Sequence, residues 1–395
     1  MLALGAELAR RGHAVLLESW TRWEEHARAA GMDFAPAPEY PVFPRPGEPL
    51  KPYAAVARAV DETRPVLSAW APDIVVHDVL TLAPALSAEL MGVPYATLIP
   101  HVHPRPPTGA PAYSLGARLP RTAAGRAWWR AVQWPLGMGH RRGERELDEL
   151  RRRLGLRPAG RSFGGLSRQL VLVGTFPQLE YPRGWAPWEH VVGPLLWEPP
   201  WDQDPAPPSG DGPVVLVAPS TAQDPSHRLL RAALAGLAGE EVRVLAAWNR
   251  RPLEGPAAVP ANTRLVEWVS YARAMARADL VVTHGGHGTM TRALSGGCAV
   301  VVAAAAGDQI ENAVRADWAR VGVRLPWRLL SPGSLRVAVR GALAEPGLRE
   351  RARELASWAA AHDGAVRAAD LVEDLAAGGG VAPRGDSRSS AVTAA

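Results

Sequence analysis

The 395-residue chain has a single cysteine, Cys298, and a single lysine, Lys51. One cysteine excludes a disulfide framework and a cysteine-based zinc site. With lysine almost absent, the net charge of +5 and the isoelectric point near 9.8 are carried by arginine. Arginine is interleaved with Asp and Glu, and the longest basic run is only Arg151 to Arg153. The charge therefore reads as the bias of a GC-rich coding sequence, and no nucleic-acid partner is expected. No apolar run approaches the roughly 18 residues that span a bilayer, since the longest, Ala299 to Ala306, has the length of a strand. No membrane span is expected. The opening residues do not read as a secretory signal, because Glu7 and Arg10 interrupt the apolar part and no small-residue cleavage site follows. The expected compartment is the cytoplasm.

What is present is a soluble globular composition, 47% hydrophobic and 21% charged, long enough for two domains. Short Val-, Leu- and Ile-rich runs alternate with helical periodicity in both halves, which predicts parallel sheets with helices on both faces. The first half carries strand-like runs at Ala14 to Glu18, Asp73 to His77, Tyr95 to Ile99 and Gln169 to Val173. From Pro104 to about Gly143 the sequence reads as loop, followed by a charged helix over Glu144 to Leu154. The segment Glu198 to Pro213, with its six prolines, is the strongest linker signal. The second half restarts the alternation at Val214 to Ala218 and ends with two helices between Ser334 and Leu375. The expected units are residues 1–197, a linker at 198–213, a second unit at 214–377 and a disordered tail at 378–395. Two such halves imply a cleft between them.

The segment THGGHGTMTRALSGGCAVVVAAAAGDQIENAVR, Thr283 to Arg315, carries the chemistry. Gly285, Gly286 and Gly288 follow a strand and open a helix, so backbone N–H groups and the helix start form a site for phosphate oxygens. His284 and Thr289 add side-chain donors. Asp308 and Gln309 end the next strand on the same sheet edge, where such folds bind ligands, and suit sugar hydroxyls. Ser220 and Thr221, after the strand at Val214 to Ala218, offer hydroxyls to a phosphate. Trp268 ends a further strand and can stack on a flat base whose edge meets the backbone of Val269; a packed core tryptophan is the alternative.

These motifs resemble the donor signature of family 1 glycosyltransferases of the GT-B fold, an α/β fold of two Rossmann-like domains facing across a cleft. His284 to Leu294 is similar to HGGxGTxxxAL, and Asp308 to Arg315 to DQxxNAxR, with Trp268 upstream. Glu7 to Val15 and Pro72 to Pro94 also match, so the likeness spans about residues 1 to 375 and is closest to bacterial enzymes acting on macrolides and aromatic polyketides. It implies an inverting, metal-independent transfer of a hexose or deoxyhexose from a dTDP- or UDP-sugar to a hydroxyl of a small lipophilic acceptor. No cofactor is implied, the nucleotide diphosphate sugar being a co-substrate, and the protein would act as a monomer or homodimer. His284, Gly286, Gly288 and Thr289 would hold the diphosphate, Asp308 and Gln309 the sugar, and Trp268 the base.

The chain departs from the family pattern in places. Arg292 stands where many relatives carry a glutamate that contacts the ribose, and Ala299 and Ala304 replace two prolines. The family's catalytic histidine lies in a loop that would precede Met1; His13 belongs to a helix-to-strand turn and reads as structural. By the resemblance, Asp78 is the carboxylate that orients the missing histidine, although it can also cap the next helix. His101 and His103 are the internal candidates for a base and, with Trp134, for the acceptor pocket. A metal role for that His pair lacks a third ligand, and Asp202 and Asp204 read as linker turn residues. Of the fifteen tryptophans, Trp128, Trp129, Trp134, Trp185, Trp188 and Trp197 would line an acceptor pocket or cover the core. A silent nucleotide-sugar binder or auxiliary protein is the alternative to an enzyme.

Overall fold

The computed structural model describes residues 1–37, 52–160, 163–200, 203–220, 224, 226–249, 253 and 258–378. Thr221, Asp202 and nearly all of the expected tail lie outside the described residues. In the first half, β1 (Leu16–Ser19) pairs with β2 (Asp33–Pro36), and β3 (Val75–Asp78), β4 (Tyr95–Ile99), β5 (Leu170–Val173) and β6 (Glu189–Val191) form a sheet in chain order. In the second, β7 (Val214–Ala218), β8 (Arg243–Ala247), β9 (Thr263–Val266), β10 (Leu280–Thr283), β11 (Ala299–Val302) and β12 (Gly322–Arg324) are arranged β12-β11-β10-β7-β8-β9. Every described pairing is parallel.

The fully buried runs of β7, β10 and β11 reflect helices covering both sheet faces. Alternate side chains go to opposite faces. Leu216, Val281 and Val300 join one core, and Val215, Val282 and Val301 the other. The first of these cores also takes in Val102, Phe176 and Leu179 from the first half. Chain order reverses between β7 and β10, so their following connections leave in opposite directions and open a crevice at the carboxyl edge.

Two expectations need correction. One 31-residue helix, Ala123–Arg153, takes in the second half of the region read as loop and continues through the helix expected from Glu144. Its start is fixed by Thr122, whose hydroxyl accepts from the N–H of Gly125. Pro135 lies inside it, which is why the sequence pattern broke there. The end of the unit expected at 214–377 also differs. Three helices follow β12, namely Pro332–Leu343, Pro346–Ala361 and Gly364–Ala376. The last buries Ala368, Leu371, Val372 and Leu375 against Ala96, Leu98, Leu170 and Leu172 of the first half. Asp363 caps it through the N–H groups of Ala365 and Val366. His13 and Arg11 bind its Glu373 at 2.7 Å each, so His13 is structural, as its turn position suggested.

Candidate functional site

At the end of β10, Thr283 accepts from the N–H of Gly285 through Oγ1 at 3.2 Å. Gly285 has φ +92°, and a Cβ there would lie 2.7 Å from Val302 Cγ1 and 3.0 Å from the Gln309 carbonyl. At Gly286 a Cβ would meet His284 Nε2 at 2.5 Å, whereas at Gly288 nothing lies within 4 Å. Two glycines thus permit the turn, and the third leaves space over the first turn of the helix His287–Ser295, where unpaired N–H groups and the dipole favour an anion. Asn312 fixes the turn by donating from Nδ2 to the Gly285 carbonyl at 2.9 Å.

His284 reaches across the switch point, with Nδ1 3.5 Å from the Ala218 carbonyl at the end of β7. Burial pushes its imidazole below the ordinary value. Ser220, just past β7, is buried on the other side of the same crevice. Asn249 donates to the Pro219 carbonyl at 2.8 Å and to the Tyr271 hydroxyl at 3.2 Å. Trp268 stacks on Tyr271 with ring centroids 6.5 Å apart and planes 15° apart. β9 stands three strands from β10, about 14 Å at ordinary strand spacing. Val269 as a whole is in the core, at 1% exposure, so little of its backbone is open to the edge of a base, contrary to the expectation.

After β11, Gly307 at φ +59° turns the chain into the helix Asp308–Trp318. Asp308 is partly exposed at its first turn. Gln309 is 4% exposed and takes the N–H of Ala305 on Oε1 at 3.3 Å, so it shapes the loop beside Asp308. Ser220, Trp268, the segment from His284 to Thr289, and Asp308 thus follow the carboxyl ends of β7, β9, β10 and β11, all strands of one sheet.

Across the cleft, Asp78 ends β3 and accepts from the N–H of Leu80 at 2.9 Å, closing a turn. His101 follows β4; its Nδ1 donates to the Val102 carbonyl at 2.8 Å. Its ring lies 6.1 Å from that of Tyr113. His103 departs from expectation. It is fully buried, with Nδ1 accepting from Arg105 N at 3.1 Å and Nε2 3.6 Å from Glu189, so it does not line an acceptor pocket. Burial opposes ionisation of Glu189, but His103, the Ala186 N–H and Arg105 outweigh it and hold the carboxyl at about 2. Trp185 and Trp188 pack beside Phe163 and Val171, covering core. Trp134 lies in the helix Ala123–Arg153, its side chain outside the described residues. Asp204 forms an ion pair with Arg277.

Two polar side chains at the boundary escaped the sequence reading. His287 is buried at the start of the donor-side helix, 3.2 Å from the Gly174 carbonyl and 3.4 Å from Asn312 Oδ1. Arg315, 1% exposed, binds Glu311 at 2.8 Å and the Leu179 carbonyl at 2.8 Å. His287 occupies a position that the motif leaves open, and only its burial distinguishes it. No group of three His, Cys, Asp or Glu among the described residues is placed to hold a metal ion. No helix among them is long and apolar enough to cross a membrane.

Residues 230–377 match the family described as "Erythromycin biosynthesis protein CIII-like, C-terminal domain". Over 319 residues the chain is 34% identical to the 4'-demethylrebeccamycin synthase of Lentzea aerocolonigenes, covering 77% of this chain and 74% of that one. The chain belongs to the family 1 glycosyltransferases of the GT-B fold. This glycosyltransferase is also 27% identical to the O-mycaminosyltylonolide 6-deoxyallosyltransferase of Streptomyces fradiae, across 95% of this chain and 94% of that one. Its fold is shared with the calicheamicin glycosyltransferase CalG4 (TM-score 0.70, 23% identity, 95% and 94% covered). It is shared too with the spinosyn rhamnosyltransferase SpnG complexed with thymidine diphosphate (TM-score 0.66, 22% identity, 95% of each chain covered).

In the glycosyltransferase, Arg292 turns away from the crevice toward the linker. It donates to the Trp197 carbonyl and lies 3.8 Å from Glu198. Glu198 in turn accepts from the N–H groups of Tyr271 and Ala272 at 2.7 and 3.0 Å. Burial lowers the Arg292 guanidinium below its usual range, and Glu198 opposes that shift. This arginine thus ties the linker to the helix bearing the glycine turn.

Proposed function

We propose that this glycosyltransferase is an inverting, metal-independent enzyme that moves a hexose or deoxyhexose from a dTDP- or UDP-sugar to a hydroxyl of a small lipophilic natural product. One observation carries the reading: the open first turn of the helix His287–Ser295, with clear space over Gly288, stands beside the switch point of a doubly wound sheet. A diphosphate seated there meets the N–H groups of Gly286, Gly288 and Thr289 and the hydroxyl of Ser220, with the His284 ring beside it. Those donors and the helix dipole meet the charge that grows on the leaving diphosphate, so the step calls on no metal and no cofactor. Asp308 receives sugar hydroxyls, and Trp268 carries the base on the face opposite Tyr271.

The acceptor enters from the first half, past His101. Its hydroxyl oxygen attacks the anomeric carbon as the bond to the diphosphate breaks, inverting the configuration, and its proton passes to a base. Asp78 is the carboxylate assigned to orient and charge that base. A deoxyallosyltransferase among the relatives and a thymidine diphosphate complex among the structural neighbours support a deoxyhexose and a dTDP donor. The enzyme works in the cytoplasm as a monomer or homodimer. Calorimetry with dTDP and UDP, followed by mass spectrometry of dTDP-sugars with macrolide and aromatic polyketide aglycones, tests the reading. Binding with transfer supports it, binding without transfer favours a silent nucleotide-sugar binder, and no nucleotide binding overturns it.

A further inference from the structure

We propose that His287 is a positioning residue that fixes the donor-side helix against the first half of the molecule and so sets the spacing between the two substrates. The proposal rests on the donor reading of the helix His287–Ser295. His287 is its first residue and is 7% exposed. Nε2 lies 3.2 Å from the carbonyl of Gly174, the residue that follows β5 at the carboxyl edge of the first half. A carbonyl can only accept, so Nε2 carries the proton.

The other ring nitrogen faces an acceptor as well. Nδ1 is 3.4 Å from Asn312 Oδ1. The Asn312 amide nitrogen is committed to the Gly285 carbonyl at 2.9 Å, so its oxygen must face the histidine. A neutral ring has one proton for two acceptors, and the nearer of them is the carbonyl across the boundary between the halves. Burial, with His101 of the first half acting in the same direction, lowers the imidazole to about 4. The contact is consequently constant across the working range and does not serve as a pH switch.

The position of this bond gives it leverage. His287 immediately precedes Gly288, the open place over the anion site, and Gly174 donates its own N–H to the Ile99 carbonyl at 2.8 Å, two residues before His101. One hydrogen bond therefore couples the diphosphate cradle of the donor reading to the strand ends that face the acceptor. Reacting groups brought together by two separate bodies lose rate steeply when their spacing drifts.

The test compares His287→Gln, which keeps an N–H that reaches Gly174, with His287→Leu, which fills the volume without a donor. Spin labels at Arg168→Cys and Val337→Cys report the distance between the halves; both sites are exposed, and Cys298 is buried. Wild type and His287→Gln should share a narrow distribution, and His287→Leu should give a broader one. His287→Leu should also lose about fivefold to tenfold in kcat, the scale of one hydrogen bond, with nucleotide Kd unchanged. If His287→Leu does not fold, His287→Asn, too short to reach Gly174, should broaden the distribution in its place. A donor-less variant with the wild-type distance distribution and kcat overturns the proposal. Absence of nucleotide binding in wild type would remove the donor reading, and the label distances would still decide the coupling.

Discussion

The guanidinium carbon of Arg315 lies 3.5 Å from the centroid of the Tyr181 ring, across the boundary between the two halves. The same side chain binds Glu311 and the Leu179 carbonyl and stands 3.5 Å from Glu180. Arg315→Met removes the cation and leaves two buried carboxylates facing each other. Breaking a buried pair in this way costs about 3–5 kcal/mol. Urea unfolding should show that loss, and a change below about 1 kcal/mol would contradict the assigned role.

The glycine turn separates folding from binding. Gly285→Ala places a Cβ against Val302 and the Gln309 carbonyl at φ +92°, which should cost about 1–3 kcal/mol of stability. Gly288→Ala meets nothing within 4 Å and should unfold at the wild-type urea midpoint. Its methyl group occupies the space assigned to the diphosphate, so calorimetry should show dTDP or UDP affinity reduced by tenfold or more. Unchanged affinity would move the phosphate elsewhere.

Trp268→Ala should weaken nucleotide binding by about 1–3 kcal/mol, the range for a base stacked on an aromatic ring. The loss should fall on the nucleoside diphosphate and spare inorganic diphosphate, which has no base. Equal losses for the two would mean that Trp268 supports the loop through Tyr271, without touching the base.

Stability should fall as the pH drops through the range of ordinary histidines. Burial lowers His77, His103, His284 and His287 from the ordinary value of 6.5, His287 to about 4. The unfolded chain then binds more protons than the native one, so stability is full above pH 6.5 and is lost as pH falls toward 4. Glu189, held at about 2, adds a loss of the same sign below its ordinary value of 4.5. Urea midpoints measured across this range should decline. His287→Gln should flatten the part between 6.5 and 4, and an unchanged slope would place His287 in a solvated site.

The parts of the site that could be read in advance are those built from backbone. A strand, a glycine turn and a helix start leave a local signature, so the turn at Gly285 and Gly286 and the helix start at Asp308 are legible from order and spacing. His287, His103 and Gln309 were not, because burial and the partners that fix a side chain come from segments distant in sequence. Gly174 lies 113 positions from His287. The long helix through Pro135 was hidden by residues that ordinarily break helices, and its start depends on the single cap at Thr122. The helix Gly364–Ala376 has the same amphipathic pattern whichever sheet it covers, so its allegiance to the first half could not be read from its own sequence.

That allegiance constrains any recombination of this enzyme with its relatives. A single crossover in the proline-rich linker would exchange a donor half together with a helix shaped for Leu98, Leu170 and Leu172 of the original partner. It would also separate His13 from Glu373, which meet at 2.7 Å. A chimera intended to pair a new donor specificity with the old acceptor wall therefore requires two junctions, the second at His362–Asp363, so that the closing helix stays with the sheet it was selected to cover.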